Sequence, residues 1–331
     1  MGVDARVAVV GSGSWATAIV KILHENVDLV QWYVRNDEMF DYIQQHGHNP
    51  RYLSAARFDM ARIRLQRDLN TLINESDVVF FVVPSAFLPA WLEPLTADLS
   101  RCFAVTAIKG IIPDIHMTAS EYLKSHFGLS YSRIGVVSGP CHAEEVAQER
   151  LSYLTFSCKS LDDSERIATL FRSFYIRTIL GQDIYGTEYS AILKNIYAVA
   201  VGVANGLGYG DNFQAVLTCN AQAELARFLN HSYPGERCAE ASAYLGDLLV
   251  TCYSQYSRNR TFGTMIGKGY SVLSAQMEMA MIAEGYYATG GIHAVNAKHG
   301  VEMPIAEAMY NILYEGHSPA REMEILTHRL V

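Results

Sequence analysis

Arg6-Val-Ala-Val-Val10 runs directly into Gly11-Ser-Gly-Ser-Trp-Ala16 and then into a helix-like stretch reaching Leu23. A β-rich run, a glycine turn and a helix in immediate succession leave few folds open to the chain. In a G-x-G-x-x-A turn the first glycine, Gly11, permits the tight bend, and the second, Gly13, lets backbone approach a pyrophosphate. Ala16 keeps the helix close to the sheet. The phosphates then rest on the N–H groups at the helix start. Gly11, Ser12 and Gly13 are therefore candidate dinucleotide-binding residues. An ordinary strand–helix turn is the bland alternative, and the position of the motif after the first strand favours the dinucleotide.

The segments that follow keep alternating. Leu29-Val-Gln-Trp-Tyr-Val34 reads as a second strand and ends at Arg35-Asn-Asp. An acidic residue there receives the ribose 2′-hydroxyl of NAD, whereas a cation suits the 2′-phosphate of NADP. Arg35 thus admits NADP(H), although a solvated surface arginine is an equally good account from sequence. Asp77 to Val83, Cys102 to Ile108 and Ile134 to Ser138 are near-continuous apolar runs, as parallel strands covered on both faces require. They end at Pro84-Ser85, Lys109-Gly110 and Gly139-Pro140, so three strand ends form one ligand-facing rim with Lys109 as its positive charge. Leu151–Cys158 and Tyr175–Leu180 complete the β-type segments.

Past Gly186 the strand signals nearly vanish and helical periodicity takes over. The expected architecture is an α/β domain over residues 1–186 followed by an all-α domain over 187–331, with Thr187 capping the first helix. That helix, Tyr189 to Gly202, is apolar apart from Lys194 and Asn195. Lys194 either snorkels to water or is an amine kept partly desolvated for chemistry.

Composition narrows the functional classes. A chain of 331 residues favours two domains, and a net charge of −8 argues against a nucleic-acid partner. The longest strongly apolar run, Val78 to Val83, is too short to span a bilayer. Six cysteines lie scattered without metal-ligand spacing, which suits a reduced, cytoplasmic protein with no bound metal.

Taken together, the motifs resemble those of the bacterial-type NAD(P)-dependent glycerol-3-phosphate dehydrogenases, in order and over essentially the whole chain. They include Gly11 to Ala18, Lys109-Gly-Ile111, Ser138 to Ala147, Leu193 to Ala200, Gly246 to Cys252, Ser257-Arg-Asn-Arg260, Ala283-Glu-Gly285 and Gly300 to Ile305. The resemblance implies a Rossmann-type first domain with NAD(H) or NADP(H) as cofactor. It implies reversible reduction of dihydroxyacetone phosphate to sn-glycerol 3-phosphate, for glycerophospholipid synthesis. It makes Lys194 the proton donor and acceptor, with Lys109 and Asp247 completing the catalytic set. These three, with Gly139, Cys141, Ser257, Arg258 and Asn259, fall where the family touches substrate. Ser14, Trp15, Arg35, Lys109, Ala143, Arg258, Ile282 and Glu284 fall where it touches cofactor. The implied partners are a small-molecule substrate and a second copy of the chain. The chain departs from the commoner family pattern at Gln214, Asn220, Cys141 and His142.

The residue types suit that chemistry. Hydride arriving at a ketone carbon leaves negative charge on oxygen, where a proton must follow. A lysine supplies it if burial or a nearby cation brings its pKa towards neutrality, and Lys109 can stabilise the developing charge. Arg258 offers a charged fork for phosphate oxygens, Asn259 a neutral donor, and Ser257 a helix start. Two rival readings are a dehydrogenase of another small acid or sugar phosphate, and a catalytically silent dinucleotide sensor.

Overall fold

The computed structural model describes residues 5–279 and 283–331. Ile282 therefore lies outside the described residues. Two compact units emerge. The first takes in the chain up to Val83, Phe87–Ile108 and Ala119–Ile184; the second takes in Pro84–Ala86, Lys109–Thr118 and Tyr185–Val331.

The first unit is built on an eight-stranded sheet. Its strands are β1 (Val7–Val10), β2 (Val30–Tyr33), β3 (Ile63–Gln66), β4 (Val78–Phe81), β5 (Phe103–Thr106), β6 (Ile134–Ser138), β7 (Ser152–Cys158) and β8 (Ile176–Gly181). The spatial order is β3-β2-β1-β4-β5-β6-β7-β8. Pairing is parallel from β3 through to β6, antiparallel between β6 and β7, and parallel again between β7 and β8. Every residue of β1, β4, β5 and β6 is buried, which explains why these strands read as near-continuous apolar runs, and β2 is buried too although Gln31 interrupts it. β3 escapes sequence reading for the opposite reason. It is a four-residue edge strand, Ile-Arg-Leu-Gln, whose exposed arginine breaks the apolar run.

The second unit is helical and wraps the helix Ile184–Gly206. Positions 186–204 are all buried, so this helix is enclosed on every side. It starts earlier than expected, because Ile184 and Tyr185 extend its apolar surface and Tyr185 stacks on Tyr233 at 4.9 Å. Thr187 is consequently a buried interior residue rather than a cap. The helix also continues beyond Gly202. There it crosses the helix Arg258–Gly267 so closely that a Cβ on Gly202 would lie 2.2 Å from the Arg260 carbonyl oxygen.

Candidate active site

In the first unit the glycine turn has the shape a pyrophosphate needs. Gly11 adopts φ +136°, and a Cβ there would lie 2.1 Å from the Val82 carbonyl oxygen, so no other residue fits. A Cβ on Gly13, by contrast, would meet nothing within 4 Å, which leaves open space in front of the helix Ser14–Asn26. No side chain caps that helix, and its first N–H groups are aimed as an anion requires. Trp32 Nε1 donates to the Gly11 carbonyl at 2.6 Å, and Asn49 Nδ2 donates to the Ser12 carbonyl at 3.0 Å. Both bonds brace the turn from outside it. The residues present fit a dinucleotide.

Other expected residues also fall in this unit. Gly139 adopts φ +126° with the Tyr153 carbonyl oxygen 2.5 Å from where its Cβ would be. The Cys141 thiol donates to the Gly139 carbonyl at 3.1 Å, so Cys141 closes the turn at the end of β6. Ala143 opens the short helix Ala143–Ala147, which packs against the helix Ser14–Asn26.

In the second unit three charged groups meet. Asp247 is buried at the start of the helix Asp247–Tyr253. Its Oδ1 accepts from Lys194 Nζ at 2.5 Å and its Oδ2 accepts from Lys109 Nζ at 3.2 Å. Burial works to raise the Asp247 pKa, but the ammonium groups of Lys109 and Lys194 outweigh it and hold the carboxyl below its ordinary range. Lys194 does not snorkel: its side chain is 6% exposed and ends in this cluster, whereas that of Lys109 is 19% exposed.

Lys109 stands in this unit rather than at a strand end of the other. β5 stops at Thr106, and the segment that follows is bound to the helical core. Asn195 Nδ2 donates to the Lys109 carbonyl at 2.7 Å, and Ile111 is part of the apolar cluster around the Lys194 helix. Asn195 is thus the brace of the cluster. Its Oδ1 accepts from Asn259 Nδ2 at 2.8 Å, and Asn259 Oδ1 accepts from the Gly285 N–H at 2.9 Å. Glu284, adjacent, accepts from the Ser85 N–H at 2.9 Å and the Ser85 hydroxyl at 2.5 Å. Burial raises the Glu284 pKa against the pull of these two donors and of the Arg258 cation. Gly110 passes so near that a Cβ would lie 2.2 Å from Glu284 Oε2. Ser257 caps the helix Arg258–Gly267 by accepting from the Arg260 N–H at 3.3 Å, and Arg258 is exposed at its first position.

Sequence reasoning gave Thr251 no role, and placed Ser85 on the ligand-facing rim without its partner Glu284. Thr251 Oγ1 accepts from Lys194 Nζ at 3.0 Å and donates to the Asp247 carbonyl at 2.6 Å. Its spacing, four residues after Asp247 on one helix, is the signal that would have found it.

The departures from the family pattern serve local structure. Asn220 exchanges two bonds with the backbone of Val331, Gln214 donates to the Tyr209 carbonyl, and His142 stands at the cap position of Ala143–Ala147.

Comparison with known proteins gives the family. Residues 6–164 match the model of the NAD-dependent glycerol-3-phosphate dehydrogenase N-terminus, and residues 183–324 match that of its C-terminus. A glycerol-3-phosphate dehydrogenase [NAD(P)+] of an Exiguobacterium strain is 38% identical over 98% of this chain and 96% of its own. One from Staphylococcus epidermidis is 33% identical over 98% of both. The crystal structure of glycerol-3-phosphate dehydrogenase from Coxiella burnetii superposes with a TM-score of 0.89 at 28% identity, covering 98% of this chain and 99% of that one. The Rossmann-like sheet, the helical second unit, the glycine cradle and the full-length matches lead to one statement: the chain belongs to the NAD(P)-dependent glycerol-3-phosphate dehydrogenase family.

Proposed function

We propose that the protein reversibly reduces dihydroxyacetone phosphate to sn-glycerol 3-phosphate, with Lys194 as proton donor and acceptor. The observation that carries this reading is the clamp of Asp247 on both Lys194 and Lys109. Enclosing charges costs several kcal/mol per ion, a cost that a passive binding module has no reason to bear. When bound, NADH or NADPH supplies the hydride, and the Gly11–Trp15 turn holds its pyrophosphate. As charge grows on the carbonyl oxygen, Lys194 Nζ releases a proton to it. The cluster thereby gives up one positive charge, while Lys109 remains as a cation to oppose the developing charge. Thr251 and Asp247 hold Nζ in place throughout. In the reverse direction the neutral Lys194 amine takes the hydroxyl proton back. Arg258 and the helix start behind it receive the phosphate, and Glu284 serves the nicotinamide side.

The same reading covers the remaining roles. Gly139 and Cys141 belong to the substrate and Ala143 to the cofactor; residues 1–186 supply the cofactor cradle together with Lys109, and residues 187–331 supply the rest of the catalytic cluster together with Glu284 for the cofactor. A reducing cytoplasm is the compartment that the scattered spacing of the six cysteines suits. Among the described residues no helix is long and apolar enough to cross a membrane. A second copy of the chain is the one macromolecular partner the reading names, and light scattering that returns a single chain mass would remove it.

The test follows the absorbance of NADH and NADPH as purified protein meets dihydroxyacetone phosphate. Oxidation of at least one cofactor is expected. Lys194→Ala should lose about three orders of magnitude in kcat and keep cofactor affinity within twofold. Turnover by the variant at the parent rate would remove Lys194 from its role, and no turnover by the parent would overturn the reaction.

A further inference from the structure

We propose that Trp91 is a positioning residue that turns the cofactor cradle towards NADP(H), by holding Arg35 beside the end of β2. The inference rests on the reading that the cradle takes NAD(H) or NADP(H), and it concerns the first unit alone. A dinucleotide site of this kind prefers NAD when a carboxylate past the second strand is available to the ribose 2′-hydroxyl. Here the carboxylate is committed elsewhere. Asp37 pairs with Arg67 at 3.2 Å. Arg67 is bound as well by Asp41 and lies over the Phe40 ring at 4.0 Å. Asn36 is used too, its Oδ1 accepting from the Met39 N–H at 2.8 Å as the cap of the helix Asp37–His46.

Arg35 is in the opposite condition. It is exposed, and among the described residues it makes no ion pair. Its contacts come from the short helix Leu88–Leu92. Nη1 donates to the Ala90 carbonyl at 3.4 Å, and the guanidinium carbon lies 6.0 Å from the centre of the Trp91 ring. Neither partner carries charge, so the arginine is oriented without being neutralised. Trp91 is itself held in place, edge to face on buried Tyr33 with centroids 5.7 Å apart and planes at 82°. Tyr33, Trp91 and Arg35 therefore form a ladder from the last residue of β2 outward. It ends in a planar cation suited to a phosphate group on the ribose.

Calorimetric titration with NADP+ and NAD+, without substrate, tests this. The parent should bind NADP+ at least tenfold more tightly than NAD+, and Arg35→Met should bring the two within about twofold. Trp91→Leu should weaken NADP+ about three- to fivefold and leave NAD+ within twofold, whereas Trp91→Phe, which keeps a ring, should retain most of the preference. Because Trp91 acts through Arg35, the double variant Arg35→Met/Trp91→Leu should bind NADP+ no more weakly than Arg35→Met alone. Circular dichroism checks that each variant folds, and Trp91→Phe decides the matter if the leucine variant does not. Equal weakening of both cofactors, additive losses, or a parent without preference for NADP+ would overturn the proposal. A protein that binds NADP+ selectively but leaves dihydroxyacetone phosphate untouched would sink the reaction and not this inference. A protein that binds neither cofactor would sink the cradle as well.

Discussion

Asn259 and Arg258 are neighbours in sequence with different work in the fold. The Asn259 amide is engaged at both ends, with Asn195 and with the Gly285 N–H. It is buried, whereas Arg258 stands exposed at the helix start. Arg258→Ala should therefore raise KM for dihydroxyacetone phosphate by one to two orders of magnitude and barely alter turnover of unphosphorylated dihydroxyacetone. Asn259→Ala strands two buried groups and should also cost about 2 kcal/mol of stability, read as a lower denaturant midpoint. If instead Asn259→Ala left the midpoint untouched and changed only KM, its amide would belong to the substrate and not to the fold. What sequence could show at this scale was residue type. Lys194 stood out as an amine in an apolar helix, and Arg258 as a fork after a capping serine. Partners far along the chain were not legible from the residues themselves: Asp247, 53 residues from Lys194, was joined to it only through the family resemblance, and Ser85, 199 residues from Glu284, was not joined to it at all.

The helices that carry Lys194 and Arg258 cross each other, and glycines set the distance between them. Gly202 and Gly206 of the Lys194 helix face Gly263 and Gly267 of the helix Arg258–Gly267. A Cβ on any of the four would come within 2.1 to 2.4 Å of a carbonyl oxygen on the opposite helix. Backbone cannot yield as a side chain can. Alanine is the better helix former by about 1 kcal/mol, yet Gly263→Ala, which places its Cβ 2.1 Å from the Val199 carbonyl oxygen, should destabilise by about 1–3 kcal/mol. Gly290→Ala is the comparison, since the atoms nearest its Cβ belong to the Tyr314 side chain and not to backbone. A thermal midpoint for Gly263→Ala at or above that of the parent would show that the crossing tolerates a wider spacing. The four-residue spacing of these glycines was visible in the sequence. Gly202 nonetheless reads there as the end of a helix, because a glycine that terminates a helix and one that packs against another look alike until the partner is known.

At the scale of the molecule, the switch from alternating strands and helices to helices alone was legible near Gly186. The attachment of Pro84–Ala86 and Lys109–Thr118 to the helical unit was not, because those segments follow strands and only packing assigns them. The helical unit also encloses a carboxylate that periodicity could not reveal. Glu224 is 1% exposed, and its two oxygens accept from the Ile305 N–H at 2.8 Å and the Ala306 N–H at 3.0 Å, so the helix Asp211–Ser232 caps the helix Pro304–Leu313. Burial pushes its carboxyl up to about 7, against the pull of those N–H groups and of Tyr197. A carboxyl whose folded pKa is raised above the unfolded one stabilises the fold most when protonated. Its contribution is complete below the unfolded pKa of about 4.3 and is lost as pH rises through about 7. Between pH 6 and pH 8 the group should withdraw about 1.4 kcal/mol, seen as a lower urea midpoint at the higher pH. Glu224→Gln should flatten that difference while leaving the slopes due to other groups in place. If the variant and the parent lost stability equally between pH 6 and pH 8, the Glu224 carboxylate would already be ionised throughout, with the two N–H donors outweighing its burial.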